Sequence, residues 1–559
     1  MKKIYFYLII LFFLLSISPS MAMPKKPSLV KETKNLVLSR RFSYLQEKRN
    51  LNKPLPLNKQ SVLGTKNYLV ILIKSNDKAN TYDSANFEDL LFSSGTYSTG
   101  SMRDYFAEVS NNKFNIQGDV FGFYTASQNY LYYTDGQSGL GNYPKNAAKL
   151  VEEAIDAADS AGVNFADYDN DKDGEVEGVW IIHQGAGAEA VPGSEEGSYI
   201  WSHKWDIVSG GGTARTYDGV RINTYIMQPE TNTDGDIIEI GVLCHEFGHL
   251  LGLPDLYDTD YSSSGNGVYD LMSSGAWGGD REHPEYPTHL SAWSKYYLGW
   301  ANVYDWTTVE SGKTLSQVEE GNEIGKIGVD GNTKEYFLLC NRRKTGFDRH
   351  LPGEGLLIWH VDENRIDANM KSGKLNDNES AQSIALMEAD GQFNLKNSPD
   401  SSTGNDGDAG DYFPGTTENT SFTSTSNPSS DKNNGEKSGV SVTYIGSSSL
   451  IGFSLGSAGP SIAGVEETFC YPNPFKLSSV TKQTIIKYPN DLTVSLKIYN
   501  IAGELVRTLD KEGQDLLTSK GEAYWDGKND NGVLVSSGLY IYLIDSQQGK
   551  VKGKILFVK

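Results

Sequence analysis

The chain has little cysteine: 3 residues in 559, at Cys244, Cys340 and Cys470. An odd, scattered set of this kind excludes a disulfide framework, so an extracellular location has to be argued from other features. Basic residues are outnumbered, with 50 Lys and Arg against 71 Asp and Glu. The resulting net charge of −21 disfavours nucleic acid as a partner and suits solubility, or bound calcium. Apart from a run at the N-terminus, no apolar stretch approaches the about 20 residues needed to span a bilayer, and no transmembrane segment is expected. Charged residues make up only 22%, whereas glycine (58) and aromatics (11%) are plentiful. That balance points to β-rich, turn-rich, extracellular-type structure, and the length predicts several domains.

What the N-terminus contains supplies the missing argument for export. Lys2 and Lys3 form a short positive region, residues 4–15 are uninterruptedly apolar, and Ser20-Met21-Ala22 is a small-x-small cleavage site. Residues 1–22 read as a signal peptide, which makes the mature protein secreted or cell-surface. Residues 23–64 then change character. Lys25, Lys26, Lys31, Lys34, Arg40, Arg41, Lys48, Arg49, Lys53 and Lys59 face only Glu32 and Glu47. A basic segment ahead of an acidic body reads as a removable propeptide, docked electrostatically as an inhibitor. It contains no cysteine, so latency through a thiolate is excluded there.

The most informative stretch is His245-Glu246-Phe247-Gly248-His249-Leu250-Leu251-Gly252-Leu253-Pro254-Asp255, an HExxHxxGxxD pattern. On a helix, residues four apart project from one face, so His245 and His249 can grip one zinc ion while Glu246 works on the bound water as general base. Gly252 permits positive φ at the helix exit and Pro254 stops the helix resuming. Asp255 could then return as an oxygen ligand. With only 8 histidines in the chain, a chance pattern on an ordinary amphipathic helix is the weaker account. The arrangement resembles that of metzincin endopeptidases, with Asp where most carry His. That resemblance implies that Met272, in Asp270-Leu271-Met272-Ser273, is the Met-turn beneath the zinc. His289 reads as a packing or capping residue opening a helix that ends near Trp300.

Strands and helices alternate around this motif. Residues 68–73 and 176–183 read as buried strands, 101–109 and 143–161 as helices, and 113–124 as a strand. Asp169, Asp171 and Asp173, followed by Gly174, match the first half of a calcium loop. The position of an EF-hand's closing glutamate is Trp180, so the loop is of another kind, completed by Glu177 or a distant carboxylate. Asp406, Asp408 and Asp411 form a second acidic group that a solvated turn explains equally well.

Further stretches resemble the immune inhibitor A family of secreted metalloendopeptidases. They include Gly100-Ser101-Met102-Arg103-Asp104-Tyr105-Phe106, Ile200-Trp201-Ser202-His203-Lys204-Trp205, Leu298-Gly299-Trp300, the run from Pro352 through His360 to Asp362, and Gly410-Asp411-Tyr412-Phe413-Pro414-Gly415. The resemblance extends over residues 65–455 and implies zinc on His245, His249 and Asp255 with Glu246 as base. Cys340 departs from it, standing where the family often has Glu. The expected fold is an α/β (α+β) metzincin-like catalytic domain over 65–302, a β-rich domain over 303–456 packed on it, and a linker over 457–465. A β-sandwich over 466–559 follows, resembling the Ig-like C-terminal domains of flagellar hook-capping proteins and of type IX secretion cargo, which implies secretion machinery as a further partner. The expected activity is zinc-dependent hydrolysis of peptide bonds in extracellular proteins, with zinc as catalytic and calcium as structural cofactor. The alternative is an inactive, calcium-stabilised surface adhesin on a protease scaffold.

Overall fold

The computed structural model describes residues 21–26, 62–306, 310–329, 332–447, 449–457, 469–477, 482–488, 494–509, 516–517, 521–546 and 549–559. The expected signal peptide up to residue 20, most of the basic segment and most of the expected linker lie outside the described residues. Among those described, no helix is long and apolar enough to cross a membrane. The architecture is mixed α/β with several sheets and a β-rich C-terminal region.

The first half is built on one sheet. Its strands are β1 (Met21–Ala22), β2 (Gly64–Lys74), β3 (Phe114–Thr125), β4 (Val179–His183), β5 (His203–Asp206) and β6 (Thr224–Pro229), in the order β1-β5-β6-β4-β2-β3. β3, β2, β4 and β6 run parallel, β5 is antiparallel to β6, and β1 is antiparallel to β5. The unbroken apolar sequence of β2 follows from burial on both faces. Tyr68, Val70 and Leu72 enter one core, and Leu69, Ile71 and Ile73 the other. Helices α1 (Ser84–Phe92), α2 (Met102–Val109) and α4 (Ile240–Leu250) pack on the first face, and α3 (Ala147–Ser160) covers the second. α2 starts where expected because Ser101 and Asp104 form a reciprocal capping box. α3 starts later than the pattern suggested, because the Asn146 side chain caps it by accepting from the Lys149 N–H. The helix expected at His289 is α5 (Ala292–Tyr297), begun by Ser291 as its cap.

The second half packs on the first without a break in the core. Strands β7 (Asn302–Trp306), β8 (Glu323–Val329), β9 (Asn332–Arg342), β10 (Gly355–Asp362) and β11 (Ile384–Leu386) form a sheet ordered β11-β10-β9-β8-β7. Every residue of β10 is buried. Leu357, Trp359 and Val361 join the core beneath α4, while Leu356 and Ile358 face a four-stranded sheet of Glu310–Leu315, Ile451–Ser457, Val440–Thr443 and Ser421–Phe422. A polar network crosses the same boundary. Arg342 donates to both oxygens of Asp348 at 2.6 Å and to the Tyr269 carbonyl at 3.1 Å, while Asp348 accepts from the His289 N–H at 2.9 Å. The Arg342 guanidinium holds the Asp348 carboxyl well below the usual carboxylate range against the opposing effect of burial. His289, the expected packing residue, is buried against Glu108 (2.9 Å) and Lys295 (3.0 Å).

At the C-terminus, a four-stranded and a five-stranded sheet share one apolar cluster that includes Ile486, Trp525, Leu496, Ile498, Tyr540 and Phe557. Asn500 and Gly503 make the expected hairpin turn between Val494–Asn500 and Leu505–Leu509.

Arg342 is fully buried, so its removal leaves Asp348 as an uncompensated interior charge. Arg342→Leu is expected to destabilise the chain by about 3–5 kcal/mol. A denaturant midpoint within error of wild type would show that the network does not hold the two halves together.

Candidate metal centre and cleft

α4 carries the HExxH pattern, and its geometry follows from residues on either side of the metal-facing edge. Phe247 points away from the histidines into an aromatic nest, with ring centroids 4.8 Å from Tyr68, 5.0 Å from Phe106 and 5.5 Å from Trp180. The helix ends at Gly252, whose φ of 94° is open to glycine and strained for other residues. The Leu253 N–H returns to the Gly248 carbonyl at 3.0 Å, and the chain turns back through Pro254 to Asp255.

His245, His249 and Asp255 are brought together, with one donor atom from each within 4.8 Å of the others, all buried. The Asp255 Oδ1 lies 3.3 Å from His245 Nε2 and 3.2 Å from His249 Nε2. The far side of each ring fixes its protonation. His245 Nδ1 is 2.9 Å from the Leu271 carbonyl and His249 Nδ1 is 2.8 Å from the Leu253 carbonyl. Carbonyls only accept, so each Nδ1 carries the hydrogen, and the neutral tautomer then presents a bare lone pair at Nε2. Burial pushes the His245 pKa down, which favours that neutral form. Two lone pairs and a carboxylate oxygen thus face one another, and none of the three atoms has a hydrogen-bond partner among the described residues. Buried polar atoms left this way carry a penalty of about 1–3 kcal/mol each, and a cation between them removes it. Ligands held 2.0–2.1 Å from a tetrahedral zinc lie about 3.3 Å apart, close to the spacings observed here. The donor set and geometry fit zinc.

Glu246 is fully buried beside this cluster, and neither of its carboxylate oxygens has a hydrogen-bond partner among the described residues. Burial, then the charges of Asp255 and Glu189, push its pKa well above the ordinary carboxylate range. Met272 lies under the ligand helix, where a Cβ at Gly248 would collide with its sulfur. Its turn is fixed by Asp270, which accepts from the Met272 N–H at 2.8 Å and from Ser291 and Ser294. The Leu256 N–H, one residue past Asp255, bonds to the Met272 carbonyl at 2.8 Å.

Of the expected calcium ligands, Asp169, Asp171 and Asp173 come together, and one oxygen of Asp169 is buried without a partner. Glu177 lies apart from them, accepting from the Asn170 N–H at 3.0 Å and from its side-chain amide at 3.2 Å. Asp411 groups with Glu388 and Asp390, whereas Asp406 pairs with Arg281 and Asp408 accepts from Asn405 and Gly410.

The cleft beside the metal-facing atoms is filled by residues 21–26. Met23 is fully buried, and Lys25 reaches Glu196 at 2.6 Å. Sequence reading gave no role to Glu189, Glu196, Trp201, Tyr261 or Trp277, all of which line this segment's path. Trp201 lies in a stretch quoted for the family resemblance. The others have no local pattern, because their partners are distant in the chain.

Residues 72–307 match the family model described as immune inhibitor A peptidase M6, catalytic domain. The chain is 34% identical over 252 residues to pre-pro-metalloprotease PrtV of Vibrio cholerae serotype O1, covering 39% of this chain and 26% of that protein. It is 30% identical over 268 residues to immune inhibitor A of Bacillus thuringiensis subsp. alesti, covering 41% of this chain and 38% of that protein. These matches support a metallopeptidase, although the chain spans only about a quarter of the first relative and under two fifths of the second. A solved structure of PorZ, a surface component of the type-IX secretion system of Porphyromonas gingivalis, aligns over 22% of this chain and 15% of its own at 18% identity and a TM-score of 0.15. Latent PorU of the same organism aligns over 20% of this chain and 11% of its own at 23% identity and a TM-score of 0.14. At those TM-scores neither likeness carries an argument about the fold.

If Asp255 is a ligand, Asp255→Ala should bind less than one zinc per chain after dialysis, by elemental analysis. Unchanged stoichiometry would remove Asp255 from the ligand set.

Proposed function

We propose that the chain is a secreted endopeptidase that uses zinc held by His245, His249 and Asp255, with Glu246 as general base. The observation that carries this reading is the convergence of three buried, unpartnered donor atoms beside an unpartnered buried glutamate. Zinc held by these three residues would supply a Lewis acid, polarising a peptide carbonyl and making water more acidic. Glu246 takes the proton released as water attacks the peptide carbonyl, and returns it to the leaving nitrogen. The hydrogen bonds from the two Nδ1 atoms to main-chain carbonyls hold both rings in the ligating tautomer throughout.

Secretion is supported by the signal-like N-terminus and by the similarity to PrtV, a pre-pro-metalloprotease. The basic segment over 23–64 is proposed as an inhibitory propeptide. Support comes from its described start, where Met23, Pro24 and Lys25 are buried in the cleft and would exclude a substrate. The Asp169, Asp171 and Asp173 loop is proposed as a structural calcium site, supported by the unpartnered Asp169 oxygen. The C-terminal two-sheet unit is proposed as a sorting domain on sequence resemblance.

Glu246→Ala is expected to keep zinc and to lose casein hydrolysis by about 100-fold or more. A variant with near-normal cleavage in a chelator-controlled assay would remove Glu246 from the reaction. N-terminal sequencing of the active form should find a start near residue 64; an active form that still begins at Met23 would end the propeptide reading.

A further inference from the structure

Residues 21–26 make two kinds of contact in the cleft: those open to any peptide, and one that depends on a side chain. The main-chain contacts fix the register. Met21 and Ala22 pair antiparallel with Lys204 and His203 on the edge strand β5, and the Met23 N–H donates to the Ser202 carbonyl at 3.2 Å. Indole N–H groups hold the next two carbonyls, Trp201 donating to Met23 at 3.0 Å and Trp277 to Pro24 at 3.2 Å. Strand addition to a sheet edge is a general means of holding an extended peptide, with affinity from the backbone and specificity from side-chain pockets.

Lys25 makes the side-chain contact. Its ammonium donates to Glu196 Oε1 at 2.6 Å, with side chains only 2% and 4% exposed. Its backbone N–H donates to the Tyr261 hydroxyl at 3.1 Å. Tyr261 stacks on Tyr257 at 6.1 Å, and the Tyr257 ring lies 6.4 Å from that of His245, so this subsite adjoins the metal-facing atoms. Asp258, Asp400 and Asp406 line the surrounding hollow, and its one arginine, Arg281, is paired with Asp406. A dry, acidic subsite favours a long cationic side chain and rejects an anionic one.

We infer that Glu196 is a specificity-determining residue that selects lysine or arginine at the position of protein substrates that takes the place of Lys25. The inference rests on the endopeptidase reading above. In the hydrolysis it serves, water adds its oxygen to the carbonyl carbon, the carbon–nitrogen bond breaks, and the new amine takes the proton passed on by Glu246.

The test uses the full chain, expressed and matured in its own medium, and quenched fluorogenic peptides in which Lys, Arg, Ala or Glu is placed at one position at a time along the residues flanking the cleaved bond. At the one position that meets Glu196, kcat/KM with Lys or Arg is expected to exceed that of the Ala peptide by about tenfold or more, and the Glu peptide should be the poorest. Glu196→Gln should bring the Lys-to-Ala ratio close to one, and Glu196→Lys should invert the order of the Lys and Glu peptides. Because the ratio is taken within each variant, a general loss of folded protein cancels. Equal rates for the Lys, Ala and Glu peptides at every position in the wild type, or a Lys preference that survives in Glu196→Gln, would overturn the inference while leaving the protease reading in place. Absence of chelator-sensitive cleavage of any peptide would overturn the protease reading, and the inference with it.

Discussion

The structure depends on three buried atoms that repel one another unless a cation lies between them: His245 Nε2, His249 Nε2 and Asp255 Oδ1. Nothing among the described residues satisfies them, and their surroundings prevent them from separating. The helix cannot rotate, because Phe247 is locked among Tyr68, Phe106 and Trp180 on its opposite side. The rings cannot flip without losing the Leu271 and Leu253 carbonyls. Asp255 cannot swing out easily, because the Leu256 amide one residue on is tied to Met272. This is preorganisation in the physical sense: the unfavourable grouping of like-signed lone pairs is sustained by packing elsewhere, and a bound ion relieves it.

The same constraint explains the edge of the sheet. β5 is the sheet's outermost core strand, and a bare edge beside a polar cleft would invite pairing with any extended chain. In this structure residues 21–22 occupy it, and the two tryptophans continue the backbone contacts beyond the strand's end. A site for binding extended peptides and an edge needing cover are therefore one surface. An inhibitory segment that uses this surface needs no special fold of its own, only a start that can be drawn out as a strand.

Much of this was legible in the sequence. The periodicities of α4 and α3, the β2 run, the exit at Gly252 and Pro254, and the Ser101 cap are all local, so the residues that cause them lie within a few positions of one another. Even there, α3 began later than its apolar pattern because a polar cap at Asn146 determined the start. Helix α1 was not foreseen, since its apolar residues Phe87, Leu90 and Leu91 crowd into the second half and leave no sustained period. The cleft walls were not legible either. Glu196 meets Lys25 across 171 positions, and Trp277 meets Pro24 across 253. In isolation, a glutamate in a Gly/Ser loop looks like any solvated turn. The calcium reading shows the limit from the other direction, with spacing gathering the three aspartates correctly while Glu177 was taken up by Asn170.

The boundary expected at residues 302/303 marks a change of composition but no break in packing. Trp359 and Leu357 of β10 lie in the same core as Phe247 and Met272. Arg342 of β9 bonds to the carbonyl of Tyr269, the residue before Asp270, which sets the Met272 turn. A chain cut at 302 would expose that core face and leave the turn beneath the ligand helix without its outer support. The second half is thus part of what holds the metal-facing atoms in register. Apolar burial acts over its whole area, whereas the Arg342 contact acts at one point, directly behind the turn. Loosening the first would lower stability broadly, and loosening the second would displace Met272 against Gly248, where the close approach of sulfur to helix leaves no slack.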